Sequence, residues 1–265
     1  MKTREFPHIL AIANNKGGVG KTSSAAYIGC TLARMGFYVT MIDFDPQGDL
    51  ETFLGVSVHD AELTTEQSIV GSNIRWLSTR ISPHIRLTPS TPKLQNIETM
   101  LLSTSEPDIV KRVSQKIPYG IEQGTGFVII DCPPALNNLT RAAFTIADTI
   151  IIPTNPVPAD MKALTRTYEY ANLIAGSSRK LIKILFTRDQ HYKINEDAIT
   201  AINEILPGLP FKQSISATVQ MEETAIRGAL REPLKRNTGA ADYVEVTKEL
   251  LEITGLKPKE EVQYE

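Results

Sequence analysis

Short runs that are apolar at nearly every position alternate along this chain with longer amphipathic stretches. The first pattern occurs in "HILAIAN" (8–14), "YVTMIDFD" (38–45), "FVIIDC" (127–132), "TIIIPTN" (149–155) and "KILFTR" (183–188). Such continuous hydrophobicity predicts strands covered on both faces, as in a parallel sheet. Helical periodicity falls between them, at about 21–35, 92–103, 106–118, 138–147, 160–175 and 195–206, and two further helices are expected near 220–230 and 239–254. The alternation predicts an α/β fold: a doubly wound, mostly parallel sheet, flanked by helices and joined by right-handed crossovers. No repeat, low-complexity tract or Gly/Ser linker interrupts it, so one domain is expected over 1–265. The stretch 56–126 is less regular. It holds the apolar fragments "NIRWL" and "HIRLTPS", two helical segments and the loop "PYGIEQGTG". It reads as an elaboration between the second and third core strands, facing a partner or a dimer mate.

The first strand runs into "NNKGGVGKTSS" (14–24) and then into a helix. A phosphate-binding loop has the form G-x-x-x-x-G-K-[ST] in that strand–loop–helix context. Gly20, Lys21 and Thr22 supply its second half, whereas Asn15 stands at the first glycine position and Lys16 adds a second cation. Gly17, Gly18 and Gly20 let backbone N–H groups approach phosphate oxygens with no Cβ in the way. The helix N-terminus adds unpaired N–H groups and a favourable dipole. The candidate phosphate cradle is therefore Lys16, Gly17, Gly18, Val19, Gly20, Lys21, Thr22 and Ser23. Lys21 is expected to reach the β- and γ-phosphates, and the Thr22 hydroxyl to ligate Mg²⁺.

Aspartates end two of the apolar runs. "MIDFDPQGD" places Asp43 and Asp45 at the end of the second strand, and period-2 alternation would point both carboxylates the same way. "FVIIDCPP" ends in Asp131, placed as the aspartate that holds Mg²⁺ through water. Strand C-termini border the ligand crevice of an open α/β sheet, so all three can face the loop.

Composition narrows the choices. Lys plus Arg number 28 against 30 Asp plus Glu, a net charge of -2, so any nucleic-acid surface has to be a local patch. The two cysteines, Cys30 and Cys132, lie in apolar segments without metal-ligand spacing. Neither a signal peptide nor a spanning helix is read, and the expected location is cytoplasmic. Four scattered histidines, His8, His59, His84 and His191, are expected on the surface, and Trp76 in the core.

The combination K-G-G-x-G-K-[ST], D-x-D-P-Q-G and D-C-P-P resembles the ParA-type partition ATPases. These belong to the phosphate-loop NTPases of the SIMIBI kind, with a deviant loop shared with MinD and the nitrogenase iron protein. The similarity is strongest at 8–55 and 127–160, with an echo in "RGALREPLKRNTGAADYVEVTKELL". It implies an ATPase with ATP and Mg²⁺ as cofactors, acting as a homodimer that sandwiches two ATP molecules. Lys16 would reach across that dimer to the phosphates on the other subunit, as an arginine finger does. Asp45 would orient or activate the attacking water, and Asp43, with Thr22 and Asp131, would shape the magnesium shell. The loop of "TIIIPTNPVPADMKAL" resembles the family segment before a dimer-face helix.

The resemblance also implies non-specific DNA binding by the ATP dimer and a ParB-like partner that stimulates hydrolysis; nucleoid association would follow from the DNA binding. Candidate phosphate contacts are His191, Lys193, Arg227, Arg231, Lys235 and Arg236, with Arg227 and Arg231 on one face of an expected helix. Gln220 occupies a position where the family often has a DNA-contacting arginine. A second reading keeps the ATP chemistry and positions a protein cargo or conjugation machinery instead. Membrane tethering is not expected, because the end of the chain, "TKELLEITGLKPKEEVQYE", is broken by Gly255 and Pro258 and closes in an acidic tail over 256–265. Nor is an N-terminal helix-turn-helix domain, with about seven residues before the first strand.

Overall fold

A computed structural model of the chain describes residues 6–57, 63–102, 104, 108–176, 178, 180–218, 228–231 and 239–257. Five strands lie where the apolar runs predict them: β1 (His8–Ile12), β2 (Val39–Asp43), β5 (Phe127–Asp131), β6 (Thr149–Thr154) and β7 (Leu181–Phe186). Two more, β3 (Thr79–Ser82) and β4 (Ile85–Thr88), come from within 56–126, where no strand is expected from the sequence. They form one sheet in the order β3-β4-β2-β5-β1-β6-β7, parallel throughout except for β3, which pairs antiparallel with β4 at the edge. The region is thus partly sheet extension. Four-residue strands with Arg80 and Arg86 among their apolar positions carry too little periodicity to be seen.

Strand side chains alternate strictly between two cores. Ile9, Ala11, Ile42, Val128, Ile130, Ile150 and Ile152 face one, and Leu10, Ile12, Met41, Phe127, Ile129 and Ile151 face the other. Helices α1 (Lys21–Arg34), α2 (Asp49–Leu54) and α9 (Gly239–Thr254) cover the second face. The first is covered by α3 (Thr65–Val70), α4 (Ile97–Leu101), α5 (Ile109–Gly120), α6 (Asn138–Ile146), α7 (Pro158–Ala175) and α8 (Lys193–Ile205). Each fully buried large aliphatic or aromatic side chain contributes about 1.5–3 kcal/mol, so two continuous cores hold the strand ends rigidly in register. The helix expected near 220–230 falls mostly outside the described residues, as does the tail from 258 on.

Several polar residues serve this packing. Trp76 is buried and its Nε1 donates to Thr88 Oγ1 at 3.1 Å. On α5, Arg112 donates to the carbonyls of Ile69, Val70 and Gly71, and Lys116 to those of Ser68 and Gly71. These cations close the C-terminal end of α3, where the helix dipole favours positive charge. Burial and the neighbouring Arg112 lower the Lys116 pKa to about 8. His8, expected on the surface, is buried in β1 with Nε2 2.9 Å from Thr149 Oγ1; its place at the start of a central strand overrides the usual exposure of a lone histidine. His84 is half-buried and stacks on Tyr38, His191 is exposed, and His59 lies outside the described residues.

Candidate functional site: a phosphate loop bordered by strand-end aspartates

Strand order assembles the site. Ile12, the last residue of β1, pairs with Asp131 of β5, and Asp131 pairs in turn with Asp43 of β2. The loop leaving β1 therefore starts beside the buried Asp131, with the buried Asp43 one strand further on. Gly18 (φ 72°) and Gly20 (φ 81°) take left-handed backbone that L side chains rarely adopt. Gly20 caps α1 without any side-chain hydrogen bond, and no acid stands in the first turn. The leading N–H groups of α1 are thus available to an anion. A Cβ added at Gly17 or Gly18 would meet nothing within 4 Å, so the loop opens outward along its glycine face.

Asn15 does not need to be glycine here, because neither it nor Lys16 has a positive φ; among the described non-glycine residues only Arg188 and His191 do. Its backbone N–H donates to Thr167 Oγ1 at 3.0 Å, and Asn14 Nδ2 donates to the Pro153 carbonyl at 2.7 Å. The pair Asn14–Asn15 fastens the loop to β6 and α7. On the far side, Thr187 Oγ1 lies 2.9 Å from the Val19 carbonyl.

Lys21 is buried, with Nζ donating to the Lys16 carbonyl at 2.9 Å. Burial lowers its pKa, and the Asp131 and Asp45 carboxylates pull it back up. Asp131 is shifted upward by burial, against the Thr22 hydroxyl and the Lys21 ammonium. Neither of its carboxylate oxygens has a hydrogen-bond partner in good geometry. A buried acceptor left bare is costly, and a cation is the group that satisfies it. Thr22 stands half-buried beside it. No group of three or more His, Cys, Asp or Glu side chains among the described residues could cage a metal. Magnesium does not need one, since it keeps waters and takes phosphate oxygens beside one or two protein ligands. The donor set, one hydroxyl and one unpartnered carboxylate beside a phosphate cradle, fits it.

Asp43 and Asp45 part company. β2 ends at Asp43, so strand alternation does not carry on to Asp45. Asp43 Oδ1 accepts from the Asp45 N–H at 2.8 Å and Oδ2 from the Leu50 N–H at 3.3 Å, which pulls the chain into a turn. Asp43 is fully buried and shifted upward by burial and by Asp131. Asp45 stays half-exposed, with Oδ1 accepting from the Gln47 N–H at 3.1 Å.

Lys16 leans on a residue that the sequence reading leaves unused. Its ammonium makes an ion pair with Asp160, in the first turn of α7. The available signal was an acid in the first turn of the helix that follows "TNPVP". Asn155 and Thr167 were missed likewise.

Of the candidate DNA contacts, His191, Lys193 and Arg231 are among the described residues. Lys193 is exposed at the first position of α8, beyond β7. Arg231 is exposed too, but in a turn rather than on the expected helix. That turn is fixed by Ala229 N–H on the Phe53 carbonyl and by Arg34 on the carbonyls of Ala229 and Leu230. Gly228 opens it at φ 83°, where an added Cβ would lie 2.4 Å from Gly55 Cα. Gly228→Ala is expected to lose about 2–3 kcal/mol through strain and overpacking, read as a lower urea midpoint; an unchanged midpoint would contradict this close packing. Gln220, Arg227, Lys235 and Arg236 lie outside the described residues. Cys30 and Cys132 are buried free thiols, raised in pKa by burial.

Comparison with known proteins agrees with this geometry. The AAA domain family model matches residues 7–184. The sporulation initiation inhibitor protein Soj of Bacillus subtilis is 27% identical over 252 residues, covering 91% of this chain and 97% of Soj. The chromosome partitioning protein ParA of Caulobacter vibrioides is 32% identical over 184 residues, 66% of each chain. Among solved structures, a cobyrinic acid a,c-diamide synthase from Mycobacterium smegmatis with bound ATP analogue and magnesium superposes with a TM-score of 0.76 at 25% identity, covering 95% of this chain and 98% of that one. From the matched model, the lysine-bearing loop and the strand-end aspartates, the chain belongs to the AAA domain family, as a ParA-like partition ATPase.

Proposed function

We propose that the chain is a single-domain, Mg²⁺-dependent ATPase that dimerises around two ATP molecules, binds DNA without sequence preference as the dimer, and releases it on hydrolysis stimulated by a ParB-like partner. The observation that carries the ATPase reading is the unpartnered Asp131 carboxylate beneath an open glycine loop, with Lys21 and Thr22 beside it. The similarity to chromosome partitioning ParA supports the DNA output.

In this mechanism the loop N–H groups and the α1 terminus hold the phosphates, and Lys21 neutralises their charge from within the subunit. Thr22 and Asp131 would hold magnesium, which would supply further charge neutralisation on the phosphates. Asp45 takes the proton of the attacking water. Lys16 stabilises charge on the phosphoryl group of the other subunit's ATP. Among the described residues no helix is long and apolar enough to cross a membrane.

A second reading, in which the dimer positions a protein cargo, keeps the same ATP chemistry. A random-sequence duplex distinguishes the two. Binding is expected with ATP and Mg²⁺ but not with ADP or without nucleotide. Affinity should fall about 10²-fold or more between 50 and 200 mM salt if several phosphates are contacted. ATP-dependent dimers that bind no DNA would select the cargo reading.

A further inference from the structure

Lys16 is held by a buried acid of its own subunit. Asp160 is almost wholly enclosed, its side chain 3% exposed against 38% for Lys16. One carboxylate oxygen takes the Lys16 ammonium, and the other accepts from Asn155 Nδ2 at 2.9 Å. Asn155 Oδ1 lies 3.2 Å from Thr187 Oγ1, the hydroxyl that also lies beside the Val19 carbonyl. A run of polar contacts therefore leaves the phosphate loop at Lys16 and reaches the ends of β6 and β7, where the single Thr187 proton goes either to Asn155 Oδ1 or to the Val19 carbonyl. Apart from Lys16, the charge of Asp160 is met by the Asn155 amide and by the positive end of α7.

We propose that Asp160 is a positioning residue that retains Lys16 within its own subunit, so that ATP-driven dimerisation has to draw the lysine off this carboxylate. The proposal rests on the reading that Lys16 acts across the dimer. A lysine ammonium is a compact point charge. Seated on the enclosed Asp160, it is not free to reach a phosphate bound by a second copy of the chain. The triphosphate competes with the carboxylate for the same cation, and the carboxylate left behind is partly compensated by Asn155. The strength of this hold then sets how much ATP is needed to form the dimer.

Asp160→Asn keeps the shape and removes the charge. The ATP concentration giving half-maximal dimer, read by light scattering, is expected to fall about tenfold, the scale of one charged contact. In a Lys16→Ala background the same substitution should change nothing, as a double-mutant cycle requires of two residues acting through each other. A purely structural role for Asp160 would give weaker dimerisation in both backgrounds. No shift, a shift to higher ATP, or an equal shift with and without Lys16 would overturn the proposal while leaving the trans role of Lys16 standing. A Lys16→Ala protein that dimerises and hydrolyses like the parent would overturn both. If Asp160→Asn folds poorly by circular dichroism, Asn155→Ala gives the opposite test. Asp160 then depends more on Lys16 and the ATP midpoint should rise; an unchanged or lower midpoint overturns the proposal.

Discussion

Lys16→Ala is expected to bind ATP within a few-fold of the parent and yet to lose about 10²–10³ in turnover at protein concentrations where the parent dimerises. The expectation comes from how the two loop lysines are placed. Lys21 is buried, tied by Nζ to the Lys16 carbonyl and drawn towards Asp131 and Asp45, so the phosphates of its own subunit are within its charge field. Lys16 is directed away from that cluster, onto Asp160 at the start of α7. Removing it should leave the cradle of glycine N–H groups and Lys21 intact. On the proposed role, the lost group is the cation that stabilises charge developing on the transferred phosphoryl, and cations supplied in trans can be worth still more, about 10³–10⁵. Binding is read with a fluorescent ATP analogue and turnover by phosphate release. Equal turnover in variant and parent would remove the trans assignment. Loss of binding would instead assign Lys16 to its own subunit's phosphates.

Much of this was legible because the relevant signals are local. A strand fully covered on both faces leaves an unbroken apolar run, and the loop after β1 carries its chemistry in eight consecutive residues, Lys16 to Ser23. What was not legible depends on contacts distant in sequence. β3 and β4 are short and carry arginines, and they exist because β2 offers a free edge to Ile85 and Leu87. Lys16 and Asp160 stand 144 positions apart, so nothing in either neighbourhood announces the pair. Thr167 looks like an ordinary helix threonine until the fold brings it to Asn15, and nothing local ties Thr187, at its strand end, to the Val19 carbonyl. The two aspartates of "DFDP" also look equivalent in sequence. Their backbone partners separate them.

That separation leads to the second large effect. Asp45→Ala is expected to lower hydrolysis by about 10²–10⁴, the usual contribution of a positioned general base, while leaving the ATP dimer assembled. Asp43 has both oxygens committed to the N–H groups of Asp45 and Leu50, so it fastens the turn and the start of α2. Ser90 Oγ donates to the Asp45 carbonyl and fixes the same backbone from β4's side. Asp45 is thereby presented half-exposed at the mouth of the site, with one oxygen on the Gln47 N–H. Truncating its side chain removes a carboxylate from the site without disturbing those backbone contacts. Asp43→Ala, by contrast, should release the turn and weaken nucleotide binding together with hydrolysis. Light scattering with ATP and Mg²⁺ should therefore give a lasting dimer mass for Asp45→Ala, decaying more slowly than the parent's as ATP is consumed. A monomer mass, or parent-like turnover, would move the base role away from Asp45.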